Sequence, residues 1–307
     1  MMHDNRWRAG HFLVLGLLAL YALLIILPLV WMVLSGFKDN QGLFLNTWGL
    51  PEKFLWENYA TAWRGGVGRY FLNSIIVTGT SVCLTLFISA CAAFALSRFE
   101  FRGQGVLLLF VLGGLMLSPQ VSLIPLFRLL QRLKLYNTYW ALVIPYVAYR
   151  IPFTTFLIRS YMLSLPREIE DSAYIDGCSA WTVFYRIILP MSKPILVTVA
   201  LFTAMSCWNE FMFALVFIES DSLRTIPIGL MGLKSSLRTE WTILMAGLTL
   251  SALPMVALFL IFQKQFIRSI TSEGVKGYTV ATPQTTLKPR SDSADPPNSS
   301  CQTCIIM

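Results

Sequence analysis

Long apolar segments recur along the whole chain, separated by more polar connections, and they constrain the fold more than any other feature. A helix crossing a hydrocarbon layer of about 30 Å needs roughly 20 residues at ~1.5 Å each. Segments of that length stand at about 12–35, 70–97, 106–127, 138–161, 194–219 and 243–266. The first, FLVLGLLALYALLIILPLVWMVLSG, is too long for the apolar core of a signal peptide and has no small-x-small cleavage site nearby. It is expected to remain as an anchor. The 307 residues are 55% hydrophobic and 13% charged, whereas about a quarter of a soluble domain is charged. A larger core cannot absorb that deficit, because apolar side chains would still cover much of the surface. Lipid covers them instead. The expected fold class is all-α, a polytopic membrane protein with six transmembrane helices.

The formal charge is +8. The basic residues are scattered between apolar spans, without a long run or an aromatic-interleaved patch, so nucleic acid is not an expected partner. Excess Lys and Arg instead suit loops beside an anionic membrane face. Six spans put both termini on one side. Arg6, Arg8, Arg98, Arg102, Arg159, Arg167, Arg186, Lys193 and the basic C-terminal residues favour the cytoplasm for that side. Against them stand Lys38, Lys53, Arg64, Arg69, Arg128, Arg132, Lys134, Arg224, Lys234 and Arg238. The first group is modestly larger, and the expectation is both termini inside.

The six cysteines form no framework. Cys83, Cys91 and Cys207 lie in apolar spans, Cys178 in a polar loop, and Cys301 and Cys304 make a lone CxxC. The two histidines, His3 and His11, are at the opposite end of the chain, so no zinc site is expected. No phosphate-binding G-x-x-x-x-G-K-[ST] occurs; the run from Gly229 to Lys234 has the wrong spacing. No triad or metal constellation is visible, and the chain is not expected to be an enzyme.

Two connections carry structure of their own. In LFRLLQRLKLYNT, helical spacing sets Leu126, Leu130 and Leu133 on one face, with Arg128, Gln131 and Arg132 on others. That suits a short interfacial helix; a mere extension of the third span is the alternative. Residues 162–193, MLSLPREIEDSAYIDGCSAWTVFYRIILPMSK, are a charged interruption in a chain otherwise short of charge. Pro166 is placed to open a helix, Glu168, Glu170 and Asp171 lie in its first turns, and Asp176-Gly177 closes it. Acids suit the positive end of the helix dipole, and glycine accepts the left-handed cap. A second helix is expected from about Ser179 to Ile188, stopped by Pro190. The result is a helix–turn–helix on one membrane face with an acidic side free for a partner, or else an ordinary solvated loop that happens to be helical.

At these residues the chain resembles the permease subunits of bacterial ATP-driven (ABC) importers. Their cytoplasmic loop has the pattern E-A-A-x-x-x-G, about nine residues, then I-x-L-P. Here it stands as Asp171-Ser172-Ala173-Tyr174-Ile175-Asp176-Gly177 and Ile187-Ile188-Leu189-Pro190. Asp171 replaces the usual glutamate and Ser172 an alanine; charge and small size are kept. The resemblance implies a coupling helix between the fourth and fifth spans that docks on the ATP-hydrolysing subunit, with Glu168, Glu170, Asp171, Ser172, Ala173, Asp176 and Gly177 as docking residues.

The likeness covers roughly residues 25–277 and is to the carbohydrate-uptake branch, including maltose-type permeases. LPLVWMVLSGFK, ENY at 57–59, NSIIV at 73–77, AAFALSRFEFRG at 92–103, CWNEF at 207–211 and Thr271 to Gly277 carry it. It implies a heterodimer with a second permease, two ATP-binding subunits and an extracytoplasmic substrate-binding protein, in the bacterial plasma (inner) membrane. ATP and Mg would be used by the partner ATPase, with no cofactor bound by this chain. The implied cargo is a sugar or oligosaccharide; a polyol, a glycerophosphodiester or another polar solute remains open, as does a stand-alone carrier or channel. A carrier predicts internal repeats and buried charges, but no clear repeat is visible.

Inside the fifth span stands Trp208-Asn209-Glu210-Phe211. A carboxylate at mid-bilayer costs about 2.5–3.5 kcal/mol on insertion scales, so Glu210 should face the bundle, water or a partner. The cluster can be helix–helix glue or a gate, which the family pattern suits. It can also contact cargo directly, with a ring stacked on a sugar face. Asn73, at the start of the second span, reads as an interfacial residue. The expected domains are a cytoplasmic N-terminus at 1–11, the six-helix unit at 12–277 and a disordered Ser/Thr/Pro-rich tail at 278–307. The tail ends Cys304-Ile305-Ile306-Met307, formally a prenylation box. Lipidation is not expected, since the resemblance is bacterial and the spans already anchor the chain.

Overall fold

A computed structural model of the protein describes residues 4–232 and 240–276, with side chains at 14–232 and 240–263. Among them there is no strand. The chain divides into a unit of residues 1–269 and a second of 270–307, and the helical bundle belongs to the first. The expected tail at 278–307 lies outside the described residues.

Helix α1 (Asp4–Gly36) carries the first expected span and begins within residues 1–11, expected as the cytoplasmic N-terminus. Its stretch Val14–Gly36 is long and apolar enough to cross a membrane, and none of its most apolar window is buried within the chain. The second span is a kinked run, Trp56–Ala62 leading into α2 (Gly68–Arg98). At the kink Gly66 takes a φ of +124°. Only glycine holds that conformation without strain, and a Cβ there would also crowd the Tyr70 ring.

The third expected span is corrected: it is not one helix. Helix α3 (Gln104–Gly113) tightens into a 3-10 turn at Gly114–Met116 and stops at an extended Leu117. Pro119 offers no N–H to a continuing helix and disfavours helical backbone at Ser118. Helix α4 (Leu123–Arg132) then starts afresh. It is amphipathic as read. Leu130 is buried and Leu123, Leu126 and Phe127 pack on the core, while Arg128, Gln131 and Arg132 are exposed. Leu133, set on the apolar face by periodicity, instead caps the helix and is exposed.

Helix α5 (Trp140–Leu163) is the fourth span. After it come α6 (Glu168–Ile175) and a second helical run, Ala180–Val183, Phe184–Ile188 and Leu189–Met191. Pro190 does not end that run, contrary to expectation. The wide i→i+5 turn at Phe184–Ile188 re-registers the backbone, so that Pro190 falls in the first turn of the next segment. There a missing N–H costs nothing. The break comes at Ser192, where α7 (Lys193–Trp208) departs at 75°. The fifth expected span is interrupted too, at residues 209–211, before α8 (Met212–Phe217). Helix α9 (Ile226–Gly232) follows, and α10 (Trp241–Lys276) carries the sixth.

Four segments among the described residues are long and apolar enough to cross a membrane: Val14–Gly36, Trp56–Arg98, Trp140–Leu163 and Trp241–Gln263. The bent pair Ala180–Met191 and Lys193–Trp208 makes a fifth if it counts as one. The six expected spans are therefore not six continuous helices; where the third was placed stands only the shorter apolar Gln104–Met116.

The centre of the bundle is α2 against α5. The buried face of α2 is small and polar, including Ser74, Ser81, Thr85, Ser89, Ala93 and Ser97. Small side chains let helix backbones approach closely in lipid, where packing replaces the hydrophobic drive. At mid-length the Ser89 and Thr154 hydroxyls lie 2.5 Å apart. Asn73, read as an interfacial residue, is buried within the chain itself. Only 4% exposed, it donates to the carbonyls of Ser222 (2.9 Å) and Arg224 (2.8 Å) and accepts from the Tyr139 hydroxyl (2.8 Å). Each buried polar group left without a partner costs about 1–3 kcal/mol. Asn73→Ala is expected to destabilise the detergent-solubilised protein by about 2–4 kcal/mol, read as a lowered Tm.

Candidate docking helix and membrane pocket

Helix α6 is built as its sequence suggests. Glu168, Glu170 and Asp171 occupy its first turn, and Asp176 caps its end. Gly177 follows at φ +80°. The Gly177 N–H donates to Tyr174 O (3.0 Å) and the Cys178 N–H to Ala173 O (3.0 Å). That pair of bonds, reaching back over the last turn, is a Schellman closure, and it requires a left-handed residue at 177.

The seven residues read as docking residues fall into two sets. Glu168, Asp171, Ser172, Asp176 and Gly177 are exposed, while Glu170 and Ala173 are buried. Ala173 enters an apolar cluster with Phe94, Ile158, Met162, Val183, Phe184 and Ile188. The Glu170 carboxylate pairs with the Arg98 guanidinium at 2.5 Å, both side chains 5% exposed. Burial lifts the Glu170 carboxyl above its ordinary pKa, and the Arg98 charge pulls it only partly back. Glu170 is thus committed inward and is not part of the free acidic face. Its spacing from Ala173 (i, i+3) sets both on one helix face, and that signal was available in the sequence. Sequence reasoning missed the apolar part of the exposed surface: Ile175 at 86%, and Trp181 and Tyr185 on the next helical run at 62% and 65%.

The four residues at the interruption of the fifth span take separate roles. Trp208 is buried; its indole N–H donates to Ser251 O (3.2 Å) and its ring meets Phe71 edge-on at 5.7 Å. Asn209 is exposed and turns back to Met205 O (2.8 Å). Phe211 packs on the core cluster that holds Phe213 and Phe217. Glu210 explains the interruption. Its carboxylate accepts from the backbone N–H groups of Phe213 (2.8 Å) and Ala214 (3.2 Å) and from the Tyr146 hydroxyl (2.6 Å). A side chain that satisfies the first free N–H groups of α8 replaces the carbonyls a continuous helix would supply.

Beside Glu210 opens a cavity of about 220 Å³, lined also by Gln120, Tyr146, Tyr149, Arg150 and Phe213. The Tyr149 and Phe213 rings stack at 5.6 Å. A carboxylate, a guanidinium, an amide and phenols around aromatic faces can hold a polar, hydroxyl-rich solute. Broken helices are tolerated at membrane depth where they line such cavities. Among the described residues no three of His, Cys, Asp and Glu converge on a metal position.

A helical chain with several apolar helices of membrane length, an interrupted apolar helix beside a polar cavity and a short acidic helix outside the apolar spans has the parts of a membrane transport component. Residues 59–272 match the family described as the binding-protein-dependent transport system inner membrane component, and the chain belongs to that family. It is 54% identical over 273 residues to the "Probable ABC transporter permease protein YurM" of Bacillus subtilis (strain 168), covering 89% of this chain and 91% of that one. It is 36% identical to the trehalose/maltose transport system permease protein MalG of Thermococcus litoralis, covering 84% and 94%. To the arabinooligosaccharides transport system permease protein AraQ of Halalkalibacterium halodurans it is 34% identical, with the same coverage. A chain of the bacterial ABC transporter that imports the acidic polysaccharide alginate has the same fold, with a TM-score of 0.73 at 20% identity, covering 86% of this chain and 98% of that one. The likeness to permeases is thus established, and the family is one of transport components, not of enzymes.

Proposed function

We propose that the chain is one half of the translocation pathway of an ATP-driven sugar or oligosaccharide importer, paired with a second permease. The family match over 59–272, with the exposed acidic α6 inside it, carries the reading. In this reading α3 with α4, and α7 with α8, complete two further crossings, so that the chain passes the membrane six times with both termini cytoplasmic. Helix α6 faces the cytoplasm and docks one of two ATP-binding subunits through Glu168, Asp171, Ser172 and Asp176, with Tyr174 and Ile175 as the apolar part of the contact. An extracytoplasmic binding protein delivers cargo to the opposite face; in one fold relative the alginate transporter is complexed with an alginate pentasaccharide-bound periplasmic protein.

Two observations support a carbohydrate cargo. Relatives covering most of the chain are named for trehalose/maltose and for arabinooligosaccharides. The cavity at Glu210 offers stacked rings and several hydroxyl partners. At about 220 Å³ it is smaller than the usual 300–1,000 Å³ of small-molecule sites. It suits one sugar unit, with the second permease closing the other side.

Proteoliposomes holding both permeases and the ATPase, supplied with the binding protein, test the cargo class. ATP-dependent uptake of a labelled di- or oligosaccharide is the expected result. Uptake confined to a polyol or a glycerophosphodiester would move the assignment to that solute, and ATP-independent uptake by this chain alone would end the importer reading.

A further inference from the structure

The Arg98–Glu170 ion pair, which ties α6 to α2, lies outside the exposed docking surface. The Arg98 guanidinium, in the last turn of α2, lies 2.5 Å from the Glu170 carboxylate of α6, with both side chains 5% exposed. The same end of α2 is gripped twice more. Its Leu96 carbonyl, one of the acceptors a helix end leaves free, accepts from Gln104 Nε2 (2.8 Å) and from Arg159 Nε of α5 (3.1 Å). Helix α2 has no internal proline, unlike α1, α5 and α10. From Asn73 to Arg98 it is a continuous rod of ~38 Å at 1.5 Å per residue. At its other end Asn73 holds the 222–224 loop through the carbonyls of Ser222 and Arg224.

We infer that Arg98 and Glu170 are positioning residues for energy coupling: their buried ion pair ties α6 to α2, so that displacement of α6 moves the rod and, through Asn73, the loop at the far end. The inference rests on α6 being the ATPase-docking element, and it adds a residue pair and a direction of transmission to that reading. An ion pair suits the task. Partners that are desolvated and in contact resist separation far more than an exposed pair, because parting them leaves buried charges uncompensated. The pair also sits on the inward face of α6, so Glu170 can grip α2 while Asp171 and Asp176 remain free for a partner.

The test uses the whole transporter in proteoliposomes and three variants of this chain: Glu170→Gln, Arg98→Gln and Arg98→Lys. Two quantities are read: retention of the ATPase subunits on purification, and stimulation of ATP hydrolysis by cargo-loaded binding protein. The Gln variants are expected to retain the ATPase subunits while stimulation falls on the order of 5- to 50-fold, the range of a coupling energy of a few kcal/mol. Arg98→Lys keeps a charge that reaches the carboxylate and should hold most of the stimulation. Full stimulation in an assembled Gln variant would overturn the inference, as would an Arg98→Lys complex as uncoupled as Arg98→Gln. Loss of assembly in both Gln variants would overturn it too, since the pair would then be structural only. If the ATPase subunits fail to co-purify even with the unaltered chain, the docking reading itself falls; if they co-purify and coupling survives, only the ion-pair role does.

Discussion

Replacing Gly177 by proline is expected to cut transport on the order of 100-fold and to release the ATPase subunits from the complex, with the membrane bundle still folded. Gly177 holds φ +80° and donates its N–H to Tyr174 O. Proline fixes φ near −65° and has no N–H, which costs about 3 kcal/mol or more where both are needed, and each 1.4 kcal/mol is a factor of ten. Alanine at the same position separates backbone from contact. Nothing lies within 4 Å of the Cβ it would add, so only the left-handed conformation is penalised, by about 1–2 kcal/mol. Gly177→Ala should therefore transport at roughly a tenth of the normal rate. Asp171→Arg is the complementary change. Asp171 is exposed, so its reversal costs α6 only about 0.3–1 kcal/mol at its N-terminal turn and acts chiefly on the partner, where juxtaposed like charges cost several kcal/mol. Co-purification of the ATPase and cargo-stimulated hydrolysis are the measurements. Transport that survives both Gly177→Pro and Asp171→Arg would remove α6 from the docking role.

How much of this could be read from the sequence differs between side chains and backbone. The apolar runs near 12–35, 70–97, 138–161 and 243–266 correspond to helices of membrane length, because hydropathy sums side-chain transfer energies and these helices are uninterrupted. The same sum passes over places where the backbone changes partner. Nothing in the hydropathy of 194–219 shows that the Glu210 carboxylate takes the N–H groups of Phe213 and Ala214. The apolar run 106–127 likewise conceals the stop at Leu117, although Ser118-Pro119 was a legible breaker. Helix α6 was readable to within a residue at its end, since first-turn acids and a closing Asp-Gly are local signals. The partition of its residues was not. Glu170 turns inward because Arg98, from another helix, is there to meet it, and Asn73 acts as a hub because the loop at 222–224 folds onto it. Those partners are brought close only by the packing of α2, which no local pattern states.

The largest stability effect is expected at Glu210. Glu210→Ala strips acceptors from the Tyr146 hydroxyl and from two backbone N–H groups. At about 1–3 kcal/mol for each orphaned group, with water from the adjoining cavity relieving part of the loss, the net cost is on the order of 3–6 kcal/mol. That is a large share of a typical folding free energy of about 5–15 kcal/mol. The detergent-solubilised variant should unfold at markedly lower temperature, and its 209–214 segment should become a protease site. Glu210→Gln keeps one carbonyl oxygen for α8 and should cost about 1 kcal/mol. The milder variant also divides the two roles open to this residue. If Glu210 only holds the helix break together, Glu210→Gln transports with unchanged KM; if it also binds a sugar hydroxyl in the cavity, KM for cargo should rise about tenfold, since a hydrogen bond to a charged group is worth about 1.5–3 kcal/mol. Equal melting temperatures for the Ala and Gln variants would contradict the capping role, because only the alanine lacks an acceptor.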